Sequence, residues 1–442
     1  MSRNRFAAVV LAAGKGTRMK SGQPKVLHGL AGRPMIGHLM ATVGDLAPER
    51  TVVVLAPGMD DVAAAISAET AIQDEALGTG HAVMAAGAAL FDYDGDILVL
   101  FADTPLLTVE TLGRVLAARA APSHPAVVVL GFRPADPGAY ARLIVDDEGL
   151  QAIVEAKDAS ATELGIDLCN SGVMLIAGDQ RALLQAIGRD NAKGEYYLTD
   201  MVALARAKGL PCAAVEAEEA ELLGINTRSD LAMAEGVVQD RLRARALEAG
   251  VTLIDPGTVW LCADTDLGSD VTIEPNVIFG PGVIVGQGAT IRAFSHLEGA
   301  TVASGVIVGP FARLRPGADI GEGARIGNFV EVKAAAIEAG TKVMHLSYIG
   351  DARVGPGVTV GAGTITCNYD GYVKSRTEIG AGAFIGSNSA LVAPVSVGDG
   401  AVIGAGSVIS EDVAPDTLAL TRAKQTAVAG WAKRKRAQKD SG

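Results

Sequence analysis

Three groups of residues in the first half of the chain stand where their neighbours give them a chemical use. The first is Leu11-Ala12-Ala13-Gly14-Lys15-Gly16-Thr17-Arg18-Met19, an apolar stretch that opens into a glycine-containing loop with two cations and a hydroxyl. Backbone N–H groups exposed at such a turn hold phosphate, and glycine lets the ligand come close. The glycine spacing fits neither a dinucleotide fingerprint nor a Walker A loop, so a phosphate cradle and a plain turn are both open readings. Pro24-Lys25 adds a third cation downstream. The second group is Gln73 with Leu77-Gly78-Thr79-Gly80-His81-Ala82. Small residues ahead of a helix, expected over 79–90, would let a flat ring lie on backbone, and Gln73 offers a donor and an acceptor to a base edge. A threonine cap at a helix entry accounts for the same residues, and His81 reads as structural. The third is Asp103, directly after the apolar run Ile97–Ala102. Ligands of open α/β sheets bind beyond the carboxyl ends of the strands, where a carboxylate suits Mg²⁺ shared with phosphate oxygens. A helix N-cap before Pro105 is its competing use. Glu155, Asn170 and Asn226 follow as polar residues in apolar or glycine-containing surroundings, none diagnostic singly.

In the second half, the informative residues are polar ones that interrupt an aliphatic pattern: Arg315, Lys333, His345, Tyr348 and the insertion Cys367-Asn368-Tyr369-Asp370-Gly371. His345 and Tyr348, three residues apart, could face one cleft. A lone histidine serves structure as readily as catalysis.

The elements that must position these residues differ between the halves. Residues 1–227 alternate apolar strands with helical segments, the pattern of an α/β domain with a mainly parallel sheet. Phe6–Ala13, Thr51–Ala56, Ile97–Ala102 and Ala126–Phe132 are continuous apolar runs, as strands covered on both faces require. Residues 228–249 contain no Gly or Pro except Gly236 and read as a helix, giving a linker over 228–250. From 251 to 442 the period changes. Leu267, Ile273, Phe279, Val285, Ile291 and Leu297 recur every sixth position, and after a one-residue slip so do Val302, Val308, Leu314, Ile320, Ile326 and Val332. Val354 and Val360 resume it, followed by Ile379, Ile385, Leu391, Val397, Ile403 and Ile409. Period six fits neither a helix nor an alternating strand. It fits a parallel β-helix of hexapeptide repeats, here over 267–413, with a loop protruding between Ile365 and Ile379 where the phase is lost.

Composition narrows the partners. A net charge of −12 over 442 residues argues against a general nucleic-acid binder, which needs a basic face. Four cysteines, Cys169, Cys212, Cys262 and Cys367, lack metal-ligand spacing and suit a reduced cytosolic protein. The apolar start is too short for a signal peptide and leads straight into the Gly14 loop. No run reaches membrane-span length. Lys433-Arg434-Lys435-Arg436 reads as a solvated basic end.

Together these residues resemble the family of bifunctional N-acetylglucosamine-1-phosphate uridyltransferases / glucosamine-1-phosphate N-acetyltransferases. The resemblance is carried by Leu11–Met19, Leu77–Ala82, Gly194-Glu195-Tyr196-Tyr197-Leu198-Thr199-Asp200, Gly361–Gly371 and Leu418–Arg422, and spans nearly the whole chain. It implies a Rossmann-like nucleotidyltransferase domain, a helical arm, a left-handed β-helix acetyltransferase domain and a cytoplasmic homotrimer making cell-wall and lipopolysaccharide precursors. Its substrates would be glucosamine-1-phosphate, N-acetylglucosamine-1-phosphate, UTP and acetyl-CoA. By this resemblance the uridylyl site comprises Leu11, Ala12, Ala13, Gly14, Lys25, Gln73, Gly78, Thr79, Phe101, Ala102, Asp103, Ala141, Glu155, Asn170 and Asn226. Asp103 and Asn226 would hold Mg²⁺, with Lys15 and Arg18 near the phosphates. The acetyl-transfer site would use His345 as base, with Arg315, Lys333, Tyr348, Thr359, Asn368 and Tyr369 around substrate. Ala362, Ser387, Ala405 and Arg422 match acetyl-CoA contacts. Phe101-Ala102, Ala141 and Thr359 depart from the family's usual Tyr-Gly, Gly and Asn. The rival reading is a single-activity sugar-1-phosphate nucleotidyltransferase whose β-helix is structural, and a non-catalytic nucleotide-sugar sensor is a further one.

Overall fold

Strands covered on both faces have no polar positions to spare, and the first half of the chain obeys this rule. The structure, a computed structural model, describes residues 5–191 and 194–440. It divides into two compact units, Met1–Asp240 and Arg241–Gly442, with the helix Arg228–Glu248 contributing residues to each. In the first unit nine strands form one sheet: β1 (Phe6–Leu11), β2 (Arg50–Leu55), β3 (Glu69–Ile72), β4 (Asp96–Phe101), β5 (Val127–Phe132), β6 (Arg142–Asp146), β7 (Gly149–Val154), β8 (Cys169–Ile176) and β9 (Cys212–Ala217). The order is β9-β5-β8-β4-β1-β2-β3, with the β6–β7 hairpin joined through β8. The sheet is mainly parallel, and β8 runs antiparallel to both β4 and β5. Alternate residues of β1 feed opposite cores: Ala7 and Val9 pack with Val83, Met201 and Val202, while Ala8 and Val10 pack with Ile36, Leu39 and Leu112. That division accounts for the unbroken apolar runs.

The helix expected over 79–90 ends earlier, at Ala85. Its cap is Gly78 rather than a threonine side chain, because the Thr79 hydroxyl accepts from the Leu198 N–H at 3.1 Å. Nor does Asp103 cap a helix. The next helix starts at Val109 under Thr108, whose side chain accepts from the Thr111 N–H.

The second unit is the expected left-handed β-helix, three stacks of ten, eight and eight parallel strands. Each strand is only two to four residues long, as in Thr272–Ile273 and Lys342–His345. Thr272 lies opposite Thr290 and Arg325 opposite Lys342, so a coil takes 18 or 17 residues. Ile273, Ile291, Leu297, Leu314 and Ile349 are fully buried in one continuous core. The stack begins one coil before the expected start, at Thr252–Leu253, and runs to Leu418–Ala419. Where Ala352 pairs with Thr377 the coil is longer, and the surplus forms a hairpin bridged at Tyr369 and Lys374 that leaves Tyr372 exposed. A final helix, Trp431–Asp440, holds Lys433–Arg436 and is exposed throughout. Among the described residues no helix is long and apolar enough to cross a membrane.

Ile349, 0% exposed in the strand Tyr348–Gly350, has coils above and below that cannot close over a gap. Ile349→Ala is expected to cost about 2–5 kcal/mol, read from urea unfolding. A loss of well under 1 kcal/mol would mean that the coils do collapse into the space.

Candidate active sites

In the first unit the ends of β1, β4 and β7 open into a cavity of about 690 Å³. Leu11, Ala12, Ala13, Gly14, Lys25, Gln73, Gly78, Thr79, Phe101, Asp103, Glu155 and Asn170 all line it. This is the carboxyl-end crevice expected of an open α/β sheet. Gly78 is held at φ +105, and a Cβ there would stand 2.6 Å from the Tyr196 carbonyl oxygen. The glycine lets the 195–199 segment close one wall, with the Gly80 N–H donating to that same carbonyl at 2.8 Å. Gln73, almost buried, donates from its amide to the Gly78 carbonyl at 3.1 Å.

The centre of the site is a cation between two oxygens. The Lys25 ammonium lies 2.6 Å from Asp103 Oδ2 and 3.1 Å from Asn226 Oδ1, and Lys25 is 8% exposed. Its stem rests on Gly16, where a Cβ would come within 2.5 Å of Lys25 Cβ and where φ is +59. Asn226 is held in turn by Asp230, which accepts from the N–H groups of Asn226 and Thr227 at 2.9 and 2.8 Å. Burial works against the Asp230 charge, yet these N–H groups and the Thr227 side chain keep its carboxyl below the usual range. Two hard oxygens already converging on a positive charge suit Mg²⁺, which takes such ligands together with phosphate oxygens. Among the described residues no group of three or more His, Cys, Asp or Glu is gathered to hold a metal.

Other expected residues stand outside the lining. Ala102 is buried with its N–H on the Leu11 carbonyl, and Ala141 is buried with its carbonyl accepting from the Asn170 N–H at 2.8 Å. Both therefore support the wall by backbone. Lys15 and Arg18 are exposed in the Gly14–Met19 loop. Lys157, Gly172, Met174, Tyr197 and Thr199 line the cavity as well; Tyr197 and Thr199 come from the Gly194–Asp200 run, but none of the five was expected among the site residues. The run Glu155-Ala156-Lys157 directly beyond β7 was the available signal for Lys157.

In the second unit the short strands place polar residues of successive coils opposite one another. Glu331 faces both Arg313 and Tyr348 in register, and its carboxylate accepts from Arg315 at 2.8 Å. Lys333 lies opposite Gly350. Asn368 donates to the Tyr348 hydroxyl at 3.5 Å and to Asp351. His345 lies opposite Asn328, with Nδ1 at 2.6 Å from Asn328 Oδ1. From His345 a corner column climbs the helix: its carbonyl takes the Gly363 N–H, that of Ala362 takes Asn388, that of Ser387 takes Gly406, and that of Ala405 takes the Arg422 guanidinium at 3.0 Å. Thr359 stands on the ten-stranded stack opposite Lys342 and Phe384, a different stack from Tyr348. Tyr369 lies in the exposed hairpin with its hydroxyl on the Gly371 carbonyl. Asn328, Glu331 and Asp351 were not foreseen.

Gly16→Ala is expected to cost about 1–3 kcal/mol, the range for a strained backbone, because it combines a left-handed φ with a clash against Lys25. Gly14→Ala, with nothing within 4 Å, should cost far less. Equal losses in urea unfolding would remove the role given to Gly16 in seating Lys25.

Comparison with known proteins agrees with this division. The family model for the MobA-like NTP transferase domain matches residues 8–164. The bacterial transferase hexapeptide (six repeats) model matches residues 264–299, 299–334 and 376–411. The chain is 60% identical over 440 residues to the Bifunctional protein GlmU of Paramagnetospirillum magneticum, covering 99% of this chain and 98% of that one. It is 61% identical over 433 residues to the protein of that name from Rhodospirillum rubrum, covering 98% and 97%. The Xanthobacter autotrophicus protein is 55% identical over 443 residues, covering 99% and 98%. Matched end to end at more than half its positions, the chain belongs to the family of bifunctional GlmU proteins.

Proposed function

We propose that this chain acetylates glucosamine-1-phosphate with acetyl-CoA and then joins the product, N-acetylglucosamine-1-phosphate, to UMP from UTP, giving UDP-N-acetylglucosamine and pyrophosphate. Family membership carries the pair of activities, and the Lys25–Asp103–Asn226 cluster and the His345–Asn328 pair carry their assignment to residues. We assign uridylyl transfer to residues 1–227 and acetyl transfer to residues 251–442, with 228–250 as the connecting helix.

For uridylyl transfer a sugar-phosphate oxygen attacks the α-phosphorus of UTP and pyrophosphate leaves, with no protein nucleophile. Lys25, with Lys15 and Arg18 from the Gly14–Met19 loop, offsets the negative charge that develops. Gln73 and Gly78 take the base, and Glu155 and Asn170 the sugar. Asp103 and Asn226 would hold Mg²⁺, which when bound supplies further charge stabilisation.

For acetyl transfer the amine must lose a proton before it attacks the thioester carbonyl, and the thiol of CoA leaves. An imidazole is suited to that proton at neutral pH. The oxygen of the Asn328 amide can only accept, so it fixes the proton on Nδ1 and leaves Nε2 of His345 free to act as base. Arg315 and Lys333 offer charge to the sugar phosphate, Tyr348 and Asn368 border the sugar, and the Ala362–Ser387–Ala405 column with Arg422 receives acetyl-CoA. UTP and acetyl-CoA are cytoplasmic metabolites, and that reading places the enzyme in the cytoplasm. A homotrimer, the assembly implied by the family resemblance, completes it, through residues 251–442.

Asp103→Ala is expected to abolish uridylyl transfer and spare acetyl transfer. His345→Ala should do the reverse, lowering acetyl-transfer kcat by about 10²-fold or more. Separate assays on the full-length chain decide this, and either variant losing both activities would refute the division of labour. Light scattering should give three times the 45.0 kDa chain mass, and a monomer would refute the trimer.

A further inference from the structure

We propose that Lys25 is a resident counter-cation for the Asp103/Asn226 oxygen pair, one that yields this place to a divalent metal only when a nucleoside triphosphate offers the ammonium its phosphates in exchange. This rests on the reading of Asp103 and Asn226 as the metal ligands. The Lys25 ammonium already occupies the convergence point of both oxygens, at 2.6 and 3.1 Å. It is held there as part of an almost buried side chain, while the Asp103 side chain is 26% exposed. A metal arriving alone must therefore expel an ammonium from a short ion pair and face its charge at close range. In return it would gain only two protein oxygens, one of them the neutral amide oxygen of Asn226, and would keep water in its other places.

A triphosphate changes both terms. Its oxygens complete the metal's coordination and give the displaced ammonium a new anionic partner. The stem of Lys25 stays on Gly16 while the terminal carbons rotate, and the cavity that Lys25 lines gives the ammonium somewhere to go. Metal and nucleotide thus favour each other's binding through one side chain, and the coupling is reciprocal. Lys25 is then a positioning residue that sets the order of loading as well as a phosphate ligand. Without nucleotide the site resists free metal, and the carboxylate of Asp103 is never left unpaired.

The test uses Mn²⁺ as probe with the full-length chain, following water-proton relaxation. Without nucleotide, wild type should bind Mn²⁺ weakly and Lys25→Met more tightly, by about 5–150-fold, the ordinary range of coupling between sites. Lys25→Arg, which keeps the charge, should stay weak, and circular dichroism should show all variants folded. Adding UTP should raise Mn²⁺ retention on wild type by a larger factor than on Lys25→Met, and equal factors would overturn the coupling through Lys25. If Lys25→Met binds Mn²⁺ no better than wild type, while wild type with UTP still gains it, the counter-cation idea is wrong and the metal site stands. If Asp103→Ala with UTP retains Mn²⁺ as wild type does, the metal reading fails and takes this proposal with it.

Discussion

The three buried corners of each coil constrain everything else in the second unit. An aliphatic side chain at every sixth position can be buried only if the chain turns through the same three directions and lands in register on the coil below. Once that is met, outward positions are free of packing duty. Strands of two to four residues would be marginal in isolation, but within the stack each is hydrogen-bonded to the coils on both sides and packs against a continuous aliphatic core. Polar chemistry can then be written onto the outside without loss of core. His345, Tyr348 and Lys333 sit next to Leu346, Ile349 and Val332, and of these Ile349 and Val332 are fully buried.

The repeat is least regular where the polar residues gather. The hexapeptide matches stop at 334 and resume at 376, and the interval holds His345, Tyr348 and Asn368. The long coil between Ala352 and Thr377 adds the hairpin at Tyr369–Lys374. In the first unit the equivalent liberty is taken at strand ends. β1 and β4 remain apolar to Leu11 and Phe101, and the polar residues begin as soon as the sheet's cover ends.

What the sequence made legible was whatever depends on near neighbours. Aliphatic period, the glycine loop and an aspartate after an apolar run are all local patterns. Asn328 was invisible because its meaning comes from a partner seventeen positions later, and only coil register brings the two together. Glu331 is the same case, since it reads as an ordinary surface acid until Arg315 and Tyr348 flank it. The first coil was missed for another reason: Leu253 and Val259 keep the six-residue spacing, but Leu267 arrives eight residues after Val259. Thr79 shows a tertiary bond overriding a local habit, its hydroxyl drawn to Leu198 instead of its own helix. Lys25 was expected at phosphate, and its seat between Asp103 and Asn226 depends on three segments that lie far apart in the chain.

Because every coil of the β-helix touches only the one before and the one after, the unit behaves as a one-dimensional stack, in which local opening is easiest at the ends. Thr252–Leu253 and Leu418–Ala419 have a neighbour on one side only, whereas the coils of His345 and Tyr348 lie deep within the column. Amide protons there exchange only after many nearest-neighbour contacts have been broken. The interior of the stack is thus the place where residues on very short strands keep their positions most firmly. A loop-borne site would need a scaffold around it to reach the same rigidity.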